Sequence, residues 1–295
     1  MANLKEIKRK ISSVKNTQKT TRAMKLVSSA KLKRAEEVAK RSKVYAAKLT
    51  ELLNEIAQKM QQNNTDGIDN VFFKENQNPK NVDVVFVTAD KGLCGGFNFQ
   101  TIKRTNKVLA ELRNSGANIR LNGIGKKGIA YYNYNGVAMK TMIDDLSSAP
   151  DYKRAKEFID GLTEDYVEGR TDKIILIYNG YVNMITQEIN QQQLLPVDTA
   201  SLDLNSVSLS ELEVEPDEDD TLMNALVKKY LEYSMYYALL NSLAAEHSAR
   251  MQAMDAATSN AKEMVKKLSV KYNKARQEAI TTELIEIISG MESMK

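Results

Sequence analysis

Proline and glycine are nearly missing from both ends of this 295-residue chain, and that shortage governs what the ends can form. All four prolines lie between Pro79 and Pro216, and twelve of the thirteen glycines between Gly67 and Gly180. Proline removes a helical hydrogen bond and glycine costs a helix about 1 kcal/mol relative to alanine, so both ends are free to form long unbroken helices. The C-terminal end carries the cleaner period. Met223, Leu226, Tyr230, Tyr233 and Tyr237 open alternating steps of three and four that run through His247, Met254 and Thr258 to Ala279. Such a heptad seam, far longer than an ordinary globular helix, marks a coiled coil. The phase slips by one residue there, and Ile280, Leu284, Ile287 and Met291 continue on a rotated face.

The N-terminal end fits the same template with a break. Leu4, Ile7, Ile11 and Val14 start a seam, and Leu32, Ala35, Ala39 and later Leu49 and Leu53 resume it. Between them the seam positions are Gln18, Thr21, Lys25 and Ser28. A polar seam position can set register at some cost in stability.

The middle alternates short apolar runs with helical patterns. Strands are predicted at 82–89, 118–124, 137–142 and 173–179, with helices near 97–114, 126–135 and 151–168 between them. This alternation predicts a mostly parallel α/β sheet of Rossmann-like kind. QEINQQQLLPV at 187–197 adds a further strand, antiparallel at an edge. The expected organisation is a helix over 1–60, a linker over 61–81, an α/β domain over 82–200, an acidic segment over 201–217 and a helix over 218–295. The two end helices then fold back as an antiparallel coiled coil.

Charge is distributed unevenly. Residues 1–60 carry 16 Lys/Arg and 5 Asp/Glu, whereas ELEVEPDEDD at 211–220 holds seven acids and no base. No apolar run reaches the ~18–20 residues of a membrane span, and the N-terminus has no apolar core for a secretory signal. These features predict a cytoplasmic protein. The lone Cys94 leaves no internal disulfide and no cysteine-based zinc site.

Two glycine motifs invite a nucleotide reading. GIGKKG at 123–128 is a literal G-x-G-x-x-G with Asp144 about twenty residues on, yet its helix is short and its strand is not the first of the domain. DKGLCGG at 90–96 offers a possible anion nest but lacks the ending of a phosphate loop. His247, the only histidine, falls on the seam and reads as packing. No catalytic group, cofactor site or metal site stands out.

Three blocks carry a resemblance: IKRKISSVKNTQKTTRAMKLVSSAKLKRAEEVA at 7–39, DKGLCGGFN at 90–98, and the stretch from AEHSARMQAMDAATSNAKEM to ELIEIISGM at 245–291. Together they resemble the γ subunits of F-type ATP synthases, in order and spacing. The resemblance implies a non-catalytic rotor shaft, one copy per complex, inside a hexamer of α and β subunits. The domain end would stand on the c-ring beside the ε subunit, on the cytoplasmic face of a bacterial plasma membrane. It also implies that Met24, Lys25, Lys91 and Arg250 face β, that Arg276, Gln277 and Thr281 hydrogen-bond a β loop, and that Glu215 belongs to the foot. No cofactor and no nucleic acid are implied.

Three rival readings remain, of which a membrane-surface helix is the third, and for it the basic helix lacks the bulky apolar face such binding needs. A basic coiled coil could track nucleic-acid phosphates, although the first aromatic is Tyr45 and no stacking platform precedes it. GIGKKG could serve a dinucleotide enzyme. Counting gives one geometric expectation. If the helices end near 58 and begin near 218, paired residue numbers sum to about 276, placing Met24 beside Arg250 and Met251 and leaving residues 273–293 without a partner helix.

Overall fold

The structure, a computed structural model, describes residues 4–63, 70–74, 76, 78–197 and 221–293, with the side chains of 55–63 and 292 outside the description. In chain order the elements are α1 (Leu4–Asn63), β1 (Asn81–Val87), α2 (Phe97–Asn114), β2 (Asn118–Ile124), α3 (Lys126–Tyr134), β3 (Thr141–Ile143), α4 (Tyr152–Val167), β4 (Lys173–Tyr181), β5 (Gln187–Leu195) and α5 (Thr221–Glu292). The acidic segment and Glu215 lie outside the described residues.

Five strands form one sheet in the order β3-β2-β1-β4-β5. The β1, β2, β3 and β4 pairings are parallel, and β5 runs antiparallel at the edge, as expected. Central β1 is buried along almost its whole length, which is why it reads as a continuous apolar run. Edge strand β5 is half-buried over its polar residues. Helices α2 and α3 cover one face around Val84, Phe86, Ile129 and Tyr132. The other face packs on α4, on Phe72 and Phe73, and on α5 through Met223, Val227, Leu231, Met235 and Leu239.

Several boundaries differ from expectation: β1 ends at Val87 rather than 89, and β4 runs on to Tyr181 rather than stopping at 179. The third strand forms only at Thr141–Ile143, not from 137. Gly136 takes a positive φ after α3, and the Val137 amide bonds back to the Tyr132 carbonyl, so those residues finish the helix. The first helix runs three residues beyond 60, where the sequence has no breaker to stop it.

The chain packs as two compact units: Met1–Ser29 with Arg250–Lys295, and Ala30–Ala249. Each long helix contributes to both. In the first unit the helices are antiparallel, with Thr21 against Thr258 and Lys25 against Asp255. In the second, the Tyr45 ring packs at a tilt against that of Tyr233, their centres 4.1 Å apart. These pairs sum to between 278 and 280 rather than 276. The shift follows from helix ends that lie a few residues beyond the assumed ones. Met24 is therefore level with about residue 255, and Arg250 lies about one and a half turns earlier in α5 at 3.6 residues per turn.

Candidate functional site

The polar break in the coil is a matched break. Thr21 and Thr258, both on the seam, share a hydrogen bond of 2.8 Å between their hydroxyls. Each hydroxyl oxygen also lies within bonding reach of a carbonyl on its own helix, Gln18 for Thr21 and Met254 for Thr258, and the two hydroxyl protons serve two of these three contacts at a time. Ser28 is buried one turn beyond Lys25. Lys25 Nζ donates to Asp255 Oδ1 at 2.6 Å, with the lysine side chain 38% exposed. Lys25 thus has a partner within the chain and is not a bare cation held out for another protein. Met24 beside it is half-buried, and Arg250 is buried.

Further along α5 the environment changes. Ala261 is buried and Tyr272 and Ala275 are half-buried, but every residue from Ile280 to Met291 is exposed. Ile280, Leu284, Ile287, Ile288 and Met291 form an apolar stretch on bare helix. Arg276, Gln277 and Thr281 are exposed on the same stretch, and the Thr281 hydroxyl bonds the Gln277 carbonyl one turn back. The phase slip at Ala279–Ile280 coincides with this change. Past it, none of the described residues of the first unit buries the helix or enforces the heptad.

Lys91 belongs to the second unit, in the turn after β1, and is exposed. The turn is shaped by Leu93 and Gly95, both at positive φ. Cys94 is buried against Phe97, Ala245 and Ala249. The Asn98 side chain ties the turn together, accepting from the Ala89 amide and donating to Cys94 Sγ. Lys91 is thereby presented from a well-held corner.

GIGKKG turns from β2 into α3, with its backbone donors already used. The Lys126 amide donates to Asp90, the Lys127 amide to the Ala89 carbonyl, and the Gly128 amide to the Thr88 hydroxyl. Asp90 also accepts from the Asp145 and Ser148 amides and the Ser147 hydroxyl. Burial alone would raise the Asp90 pKa; the donors from Lys126, Ser148, Ser147 and Asp145 outweigh it and hold the carboxyl below its usual value. The anion at the start of α3 is therefore the chain's own. Gly128 allows close approach to β1, since a Cβ there would stand 2.5 Å from the Phe86 ring. Among the described residues no group of three or more His, Cys, Asp or Glu could hold a metal.

Sequence reasoning missed three of these residues. Asp255 lies one position past the seam residue Met254, and nothing in a single helix marks it as the partner of Lys25. Asp90 carries no local sign that it caps a turn 36 residues away. Glu232 sits buried beside the seam at Tyr233, where YLEYSMYY gave one visible clue: a charge among aromatics.

Comparison with known proteins gives consistent results. The family described as ATP synthase matches residues 3–294. The chain is 72% identical to the ATP synthase gamma chain of Sulfurovum sp. and 56% identical to that of Sulfurimonas denitrificans, in both cases over the whole of both chains. Among solved structures it is similar to a chain of the Tetrahymena thermophila mitochondrial ATP synthase central stalk and c-ring. That match has a TM-score of 0.60 and 26% identity, covering 81% of this chain and 99% of the other. A chain of the Euglena gracilis mitochondrial ATP synthase shares the fold at a TM-score of 0.65 and 17% identity, covering 99% and 94%.

Proposed function

The chain belongs to the ATP synthase gamma chain family, and from that premise we propose that it works as the central rotor shaft of an F-type ATP synthase. It is a non-catalytic subunit. Its partners in this reading are the α and β subunits around the paired helices, and the ε subunit and c-ring at the sheet domain. Ion-driven rotation of the ring turns the shaft, whose unequal faces carry each catalytic β subunit through open and closed states. The subunit reaches the cytoplasmic face of the membrane only through the ring. The observation that carries this reading is the end-to-end likeness to gamma chains.

The long helices supply what such a shaft needs. A loosely held, exchangeable set of surface charges attracts an acidic sleeve without locking it, because exposed ion pairs contribute little each. Lys25 and Asp255 fit that description, as one half-exposed pair that a passing carboxylate could compete for. Met24, Lys25, Lys91 and Arg250 are the proposed contacts with β, with Arg276, Gln277 and Thr281 nearer the end of α5.

The test is ATP-driven proton pumping and its ratio to hydrolysis in membrane vesicles. Lys25→Glu should lower that ratio by placing two carboxylates together and repelling an acidic partner. The double variant Lys25→Glu, Asp255→Lys restores the internal pair. A ratio that stays low in the double variant supports contact with a partner, whereas full recovery assigns Lys25 to the coil alone.

A further inference from the structure

Glu232 is a buried carboxylate where its flanking residues are core. It is 4% exposed, and its neighbours on α5, Leu231 and Met235, pack against the sheet. Three donors converge on it. Lys156 Nζ and the Tyr152 hydroxyl come from α4, and Lys229 Nζ reaches it at 2.9 Å from one turn back along α5. The Tyr152 hydroxyl also accepts from Lys229 at 2.6 Å, and that ammonium lies 5.2 Å from the centre of the Tyr152 ring. An aromatic chain continues outward. Tyr152 packs on Tyr233 and Tyr236 at 5.2 and 5.6 Å, and Tyr233 packs at a tilt against Tyr45 of α1. One cluster therefore ties α4 to α5 and, through a ring, to α1.

Apolar residues of similar volume would serve stability here as well or better, because both the carboxylate and its lysines must shed water to meet. Directional bonds provide something else. An apolar interface lets a helix slide or roll between nearly equal packings, while three donors fixed on one carboxylate admit a single arrangement. A rotor needs that property where torque passes from its domain to its shaft. We infer that the cluster is a torque clamp, with Glu232 as the positioning residue that makes α4 and the long helices of the second unit turn as one body. This rests on the rotor reading above.

The test uses the whole complex. Glu232→Gln and Tyr152→Phe are each assembled into ATP synthase, hydrolysis is measured on the detached soluble part, and proton pumping is measured in vesicles. Detached hydrolysis is expected to match wild type, because no load then passes through the domain, while protons pumped per ATP fall several-fold for Glu232→Gln and less for Tyr152→Phe. Hydrogen exchange in α4 should speed up by about tenfold or more in Glu232→Gln, as removing one partner of a buried pair predicts. Wild-type pumping per ATP in both variants overturns the clamp. So does a loss of pumping and hydrolysis in equal proportion to assembled complex, which is what a merely stabilising residue gives. If Glu232→Gln does not assemble, Tyr152→Phe alone decides by the same two ratios. Failure of the wild-type chain to assemble with α and β is a different result, and removes the rotor reading itself.

Discussion

Protonation of Glu232 couples folding to pH with a definite sign. Burial favours the neutral acid, but the bonds from Lys156, Tyr152 and Lys229 outweigh it and bring the pKa from an ordinary 4.5 down to about 2. A lowered pKa means the folded state holds the carboxylate, so its contribution is fully present above about pH 4.5 and is lost as pH falls towards 2. The lysines are nearly half-exposed, so water screens them and the contribution is on the order of 1–2 kcal/mol. Acid unfolding followed by circular dichroism should show this slope in wild type and not in Glu232→Gln; parallel curves would rule it out. Gly125 gives a second prediction. Its φ is +97°, and a Cβ would lie 1.9 Å from the Thr88 carbonyl oxygen. Because the clash is with backbone, Gly125→Ala should destabilise by about 3–5 kcal/mol, beyond the 1–3 kcal/mol of positive φ alone. Urea unfolding measures it. The sequence marked Gly125 as special, through its motif, but for a nucleotide; the true occupant, Asp90, is distant in sequence and so was invisible.

Elements were legible in proportion to their punctuation. Helix α2 and strand β2 fall where Gly96, Gly116 and Gly125 bound them, and β5 was readable as an edge from its run of polar residues. Strand β3 was overextended because three residues of parallel edge carry too little pattern. The pairing of α1 with α5 was legible as a seam, whereas its register depended on helix ends that no Gly or Pro fixes. Register is where Lys25 found Asp255. In the isolated chain, Lys25→Asp and Asp255→Lys should each cost a few tenths of a kcal/mol and the double swap should recover most of it, as exposed pairs do. A double variant no better than the sum of the singles would remove the pair from consideration. For the end of α5, none of the described residues from Ile280 onward is buried. Deleting 280–295 should therefore change the chain's own stability by under about 0.5 kcal/mol while weakening assembly with α and β. Calorimetry of the truncated chain checks the first part and co-purification the second.

At the scale of the whole molecule, the core ignores the divisions of the sequence. Residues 198–220 separate the sheet from the last helix along the sequence, yet Met223 to Leu239 of α5 cover one face of that sheet. No composition change announces this, since Val227, Leu231, Met235 and Leu239 lie beside a heptad seam that by itself reads as coiled coil. The pairing of the ends has a consequence for how the protein is made. Thr21 and Thr258 are separated by 237 residues, and every partner of α1 on α5 emerges late. At about 5–20 residues per second, α1 leaves the ribosome roughly 10–50 s before the helix that covers it. Over that interval Ile7, Leu32, Leu49 and Leu53, all buried in the finished protein, face water on an incomplete helix. Such a nascent chain is expected to engage a holding chaperone during its own synthesis. Ribosome-bound chains stalled at residue 220 should crosslink to such a chaperone through α1, and chains released at 295 should not.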